Sequence, residues 1–289
     1  MKPAQFDYVS PVTVEAAIEA LVASNGDGKV LAGGQSLLPL LNFRMARPTV
    51  LVDLNRIEGL SYIKDRGERI AIGALTRHFE LETSPLIAEK LPVISAAMRH
   101  VAHLAIRNRG TIGGSLSHAD PAAELPMLAT FYEAEITIQG PSGRRTIAPG
   151  EFFVDALTNC LEPDEIVVEI EFPVLAQDGW AFEEVARRFG DFALASIAVS
   201  VCRGPSGLQA ARVAVMGVAD TPRRLKEAEQ ELVAMELDEA TPDRFSEVVV
   251  SLVSPNDDLH ASADYRKHLL GHLAKRALRT ALAMKGALS

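Results

Sequence analysis

Two stretches of this 289-residue chain set adjacent glycines beside small hydroxyl and amide side chains: LAGGQSL at residues 31–37 and TIGGSLSHADP at residues 111–121. Adjacent glycines allow positive φ and leave backbone N–H groups uncovered, so successive amides can converge on an anion. One Gly-Gly alone reads as a tight turn. Two in one chain can hold a single diphosphate between them. Neither stretch fits G-x-G-x-x-G or G-x-x-x-x-G-K-[ST], which disfavours both a doubly wound nicotinamide-binding domain and a P-loop nucleotide hydrolase.

The remaining reactive residue types give weaker signals. His100 with His103, and His268 with His272, can each converge on a helix face, but no HExxH and no third ligand accompany them, and no metal site is expected. His118 lies inside the second glycine stretch and either hydrogen-bonds a bound ring or caps the turn. Arg107 and Arg109 either offset diphosphate charge or serve as structural and partner-contact charges. Glu183 and Glu184 are neighbours on a strand, point to opposite faces, and read as part of a solvated surface rather than an acid–base pair. Trp180 reads as core or junction packing. No catalytic side chain is identified.

Charge and cysteine content narrow the class. Thirty-eight acidic against 29 basic side chains give a net charge of −9, which repels a polyanionic backbone and makes nucleic acid an unsuitable partner. Cys160 and Cys202, the only two cysteines, cannot build a four-cysteine iron–sulfur or zinc site unaided. A charged start followed by an apolar run is missing, and so is any apolar stretch of about 18 residues, so a cytoplasmic protein without a membrane span is expected.

The elements that must position the glycines follow from periodicity. Thr13 caps a helix with Val14, Ala17, Ile18, Leu21 and Val22 on one face, stopped by Asn25-Gly26. Strands are predicted over 29–32, 50–54, 61–64 and 69–74, a helix over 87–102, a helix over 122–132, a hairpin over 135–147 and a strand over 165–172. Beyond residue 176 the grammar changes to three strands (180–188, 193–203, 209–219) and then three helices (222–235, 242–252, 263–285). That order predicts an α+β chain with a boundary near 176: residues 1–176, then a smaller unit, 177–289, of a three-stranded antiparallel sheet and three helices.

Taken in order, AGGQSL, IRNRGTIGGSLSHADPAAELP (106–126) and RRFGDFALA (187–195) resemble the FAD-binding medium subunit of molybdenum hydroxylases, the superfamily of xanthine dehydrogenase and aerobic carbon monoxide dehydrogenase. The resemblance runs over nearly the whole chain, including ADYRKHLLGHLAKRAL (263–278). It implies a two-part FAD-binding domain of two α+β subdomains over 1–176 and a C-terminal flavoprotein domain over 177–289. It implies that Leu31, Ala32, Gly33, Gly34, Gln35, Ser36 and Leu37 wrap the FAD diphosphate. Thr111, Gly113, Gly114 and Ser115 match the second segment, near diphosphate and ribityl, with His118, Asp120 and Glu124 close to the cofactor. Glu124 stands where aspartate is common. Val167 matches a position near the adenine end or ring edge, and Gly190-Asp191-Phe192 a segment over the isoalloxazine, where phenylalanine replaces a frequent tyrosine. Arg187 or Arg188 would stabilise reduced flavin.

The resemblance further implies an electron-transfer subunit with non-covalent FAD, fed by [2Fe-2S] clusters of a small partner from a molybdopterin centre in a large partner, within a dimer of heterotrimers. The complex would hydroxylate an N-heterocycle or related aromatic. The rival readings are a stand-alone FAD-dependent oxidase or reductase, the medium subunit of a carbon monoxide dehydrogenase, and a scaffold that has lost the flavin.

Overall fold

In a computed structural model, which describes residues 2–205 and 207–284, the chain before residue 176 builds two main sheets and a two-stranded ribbon. The first is parallel: β1 (Asp7–Val9), β3 (Val50–Asp53) and β2 (Gly28–Leu31) lie in the order β1-β3-β2. Helix α1 (Val14–Ala23) covers it, capped by Thr13 Oγ1 accepting from Ala16 N–H, with Val14, Ala17, Ile18 and Leu21 buried as the periodicity predicts. The second sheet is antiparallel, in the order β4-β5-β10-β6-β7: β4 (Ile63–Asp65), β5 (Arg69–Gly73), β6 (Glu135–Gly140), β7 (Gly143–Ile147) and β10 (Ile166–Pro173). A small ribbon of β8 (Phe153–Asp155) and β9 (Thr158–Asn159) lies between β7 and β10 in sequence.

Two expectations for this part change. The single helix over 87–102 is instead two short helices, Pro85–Lys90 and Pro92–Ala97, joined at Leu91. Pro92 has no N–H and disfavours helical geometry at the residue before it, so Leu91 takes φ −131° and ψ 55° and the axis breaks. The helix expected from 122 begins at Glu124 (α4, Glu124–Tyr132), because Asp120 Oδ1 first accepts from Ala122 N–H in a turn.

In the C-terminal part, β11 (Gly179–Ala186), β12 (Ala193–Gly204) and β13 (Gly207–Met216) form the expected antiparallel meander. A fourth strand corrects the count of three: β14 (Arg223–Arg224) pairs with Val215 and Ala214. Pro222 therefore precedes a strand, and the helix expected from 222 starts later, as α5 (Lys226–Ala234). Helices α6 (Thr241–Ser251) and α7 (Ala263–Ala283) complete the layer; the predicted end of the last helix, Lys285, lies outside the described residues.

β12 is buried on both faces, and its alternation sorts two different neighbours. Ile197, Val199 and Val201 join the core under α5–α7, whereas Ala198 packs into the core of the N-terminal part with Ala214 and Met216. Small side chains on that face let the two parts approach closely. Trp180 packs against the same core, and Gly217 N–H donates to Pro121 O at 3.0 Å. Among the described residues no helix is long and apolar enough to cross a membrane.

Candidate FAD-binding site

The first glycine segment leaves β2 at Leu31 and reaches α2 (Leu37–Asn42). Gly33 is buried against the second segment: a Cβ there would stand 2.3 Å from Arg109 O and 2.8 Å from Gly110 Cα. Gly34 has φ +72°, the conformation that favours glycine. Among the described residues, the N–H groups of Gly33, Gly34, Gln35 and Ser36 donate to no protein acceptor, while Gly34 O and Ser36 O accept from Leu38 and Leu40. Gln35 Nε2 turns back onto Gly33 O at 2.8 Å. Four consecutive amide donors in a half-buried turn fit a polyanion.

The second segment is not a loop. It is the first turn of α3 (Ile112–His118), and its amides are already used: Ile112 on Thr76 O, Gly113 on Ala74 O, Gly114 on Thr111 Oγ1 and Ser115 on Thr111 O, at 2.9–3.1 Å. What the glycines supply here is space. Gly113 packs on Ala74, and Gly114 faces Ala32 across the gap, a Cβ there lying 3.7 Å from Ala32 Cβ. The positive end of a short helix thus abuts the turn of free amides. Because the buried Thr111 hydroxyl is the helix cap, Thr111→Ala should cost about 1 kcal/mol of stability, read as a lowered thermal midpoint at unchanged fold.

Asp120, Asp191 and Phe192 gather elsewhere, around a cavity of about 500 Å³ between the two parts, with Arg187, His260 and Arg266 on its wall. Arg187 lines this cavity and Arg188 is not among its wall residues. Ala119, left-handed at φ 54°, turns the chain out of α3 toward it, which leaves His118 at the end of that helix. Phe192 is 62% exposed, an apolar ring at the cavity rim. Arg266, on α7, fixes the far wall by donating to Leu194 O, Gly217 O and Asp258 Oδ2 at 2.6–2.8 Å.

Two expectations need correction, for Arg107 and for Glu184. Val167 sits in β10 opposite Ile138 with its side chain in the core that holds Ile136 and Phe172, which leaves its backbone to face a ligand. Arg107 is buried and donates to Glu82, Val101 O and Ala102 O, which makes it structural and removes it from any partner surface; Arg109 is exposed. Glu184 is not on a solvated face. Its side chain is 4% exposed, with Oε1 4.0 Å from His100 Nδ1 and Oε2 without a partner among the described residues, while Glu183 points the other way to Arg276. Glu124 is buried toward Glu184: burial first, then the charge of Glu184, pushes its carboxyl up to about 8, and burial raises Glu184 as well.

Two residues outside the glycine motifs link the segments: Asn55 bonds Ala32 O of the first, Arg77 bonds Arg109 O just before the second, and the two bond each other. Strand adjacency was the available signal for Asn55, since β3 runs parallel to β2 and ends level with it. Nothing local to Arg77 marks it.

A chain in which the turn after a parallel strand presents free amides beside a glycine-faced helix, joined to an antiparallel sheet under three helices, defines a two-part protein built to hold a polyanion. Residues 4–175 match the FAD binding domain in molybdopterin dehydrogenase, and residues 180–281 match the CO dehydrogenase flavoprotein C-terminal domain. The chain belongs to the FAD-binding medium subunits of the molybdenum hydroxylases. It is 43% identical over 284 residues (98% of this chain, 96% of the other) to the 6-hydroxypseudooxynicotine dehydrogenase complex subunit alpha of Paenarthrobacter nicotinovorans. Among solved structures it resembles a carbon monoxide dehydrogenase chain from Hydrogenophaga pseudoflava, with TM-score 0.95 and 36% identity over 99% of this chain and 100% of that one. A chain of quinoline 2-oxidoreductase from Pseudomonas putida 86 gives TM-score 0.93 and 36% identity, over 98% and 99%.

Proposed function

We propose that this chain carries FAD between the [2Fe-2S] clusters of a small partner subunit and an external acceptor, in a complex whose large subunit hydroxylates an N-heterocycle or related aromatic at molybdopterin. The observation that carries the reading is the run of free amides at Gly33–Ser36 held against the first turn of α3. The substrate class is supported by the likeness to a 6-hydroxypseudooxynicotine dehydrogenase subunit at 43% identity, and by the quinoline 2-oxidoreductase fold match. Two cysteines cannot make even one four-cysteine cluster, so the iron–sulfur relay belongs to another chain. We place the FAD-binding domain at residues 1–176 and the C-terminal domain at 177–289, within a cytoplasmic dimer of heterotrimers.

Gly33, Gly34, Gln35 and Ser36 donate N–H groups to the diphosphate, and α3 sets its positive end beside them. Leu31, Ala32 and Leu37 flank that turn; Gly113, Gly114, Ser115 and His118 lie on α3 across from it. Toward the ring, Asp120, Asp191 and Phe192 line the cavity, where Arg187 holds a positive charge. The two-electron chemistry itself is supplied by the flavin.

Purified alone with FAD, the chain should release one flavin per chain on acid precipitation, bleach with dithionite, and oxidise no heterocycle, aldehyde or carbon monoxide. Co-purified from its source it should bring two further polypeptides, one with iron and one with molybdenum. Turnover of an organic substrate by the single chain would replace this reading with a stand-alone flavoenzyme. A complex oxidising carbon monoxide alone would move the substrate class.

A further inference from the structure

The two halves of the diphosphate cradle are tied together by two side chains outside either glycine motif. Asn55 follows the end of β3, level with the end of β2 because Leu31 and Asp53 are partners in the parallel ladder. Its N–H donates to Asp53 Oδ1 at 2.9 Å, and its Nδ2 donates to Ala32 O at 2.8 Å. From the other side, Arg77 Nη2 donates to Asn55 Oδ1 at 2.6 Å and Nη1 donates to Arg109 O. The backbone of Arg77 bridges to Thr111, the cap of α3, and its N–H donates to Glu80 Oε2 at 2.7 Å. One guanidinium therefore grips the Arg109 carbonyl directly and the Ala32 carbonyl through Asn55.

Those carbonyls are the ones that matter for the cradle. Ala32 C=O and Gly33 N–H belong to one planar trans peptide, so fixing the carbonyl toward Asn55 aims the N–H the opposite way. Arg109 O is the atom against which Gly33 packs. Charge adds to this. Burial first, and then the like charge of Arg109, pulls the Arg77 guanidinium below its ordinary value, a rim of two positive charges that an anion relieves.

We propose that Asn55 and Arg77 are positioning residues that aim the Gly33 amide and hold the two glycine segments in register for a diphosphate. The inference rests on reading these segments as the FAD cradle. It is tested on the full chain stripped of flavin, by calorimetric titration with FAD and with ADP, for wild type, Asn55→Asp and Arg77→Lys. Asn55→Asp keeps the acceptor for Arg77, removes the Nδ2 donor to Ala32 O and to Asp53 Oδ1, and adds a charge whose long-range effect is taken out by titrating at low and at high salt; Arg77→Lys keeps the charge and loses the fork. Both variants should bind FAD and ADP about tenfold more weakly. The thermal midpoint of the stripped protein should move by less than about 2 °C, which separates aiming of the amide from general support of the fold. Binding within about twofold of wild type in Asn55→Asp, or full rescue by lysine at 77, overturns the proposal while leaving the cradle in place. A wild-type chain that binds neither FAD nor ADP overturns the cradle and the proposal together.

Discussion

Gly33→Val should leave the chain folded and without flavin. A Cβ at this position would lie 2.3 Å from Arg109 O and 2.8 Å from Gly110 Cα, and both obstacles are backbone. No rotamer change relieves such a contact, so the turn must move away from α3, and its amides lose their aim. The requirement is not positive φ at Gly33, since in this turn only Gly34, at +72°, has it. A side chain at Gly34 would instead carry strain of about 1–3 kcal/mol. At Gly114 a Cβ would press on Thr111 Oγ1 at 2.8 Å and disturb the helix cap. We expect Gly33→Val to weaken FAD binding at least about a hundredfold, some 2.7 kcal/mol, measured by flavin absorbance per chain and by titration, with the far-ultraviolet dichroism of wild type. Gly150 is the control: nothing lies within 4 Å of a Cβ there, and Gly150→Ala should bind FAD normally. Normal FAD content in Gly33→Val would remove the cradle.

How much of this was legible beforehand depends on whether the signal was local. The two Gly-Gly stretches, the Thr13 cap and the β11–β13 meander rest on residue types within a few positions of each other, and the sequence displays them directly. The helical state of Ile112–His118 was hidden because Gly-Gly after Thr reads as a turn; only tertiary acceptors on Ala74 and Thr76 make that turn the start of a helix. β14 was hidden because two arginines after a proline carry no strand pattern and pair only where β13 offers a free edge. Arg77 and Asn55 lie apart in sequence; Asn55 reaches Ala32 through the parallel pairing of β2 with β3, and Arg77 reaches Asn55 only once its backbone bridges Thr111, contacts fixed only in the assembled fold. Glu184 illustrates the opposite error. Alternation correctly separated it from Glu183, yet which face was wet depended on the N-terminal part covering one side of β11.

That buried carboxyl has a consequence for pH. Glu124 on α4 and Glu184 on β11 face one another across the junction of the two parts, with Asp120 adding negative charge from the turn before α4. His100 approaches Glu184 at 4.0 Å, and its ring stacks near Phe182 with centroids 5.2 Å apart. Burial holds His100 below its ordinary 6.5, so it is largely neutral where the carboxyls titrate and does not compensate them. Arg276 is occupied by Glu183 on the other face of the strand. Both carboxyls thus have folded-state values above their unfolded 4.5, Glu124 through burial and then its neighbour's charge, Glu184 through burial. The linked stability is fully present below the unfolded value and declines as pH rises toward about 8, because deprotonation puts two unneutralised charges into one dry site. Wild type should therefore lose thermal stability between about pH 5 and 8, and Glu184→Gln, which keeps the shape and removes one charge, should lose less. At pH 9 the variant should melt higher than wild type, by on the order of 5 °C, in scanning calorimetry. At pH 5 the two should nearly coincide, since both sites are then neutral. Parallel melting curves across this range would mean that Glu124 and Glu184 do not share their burial in the folded chain.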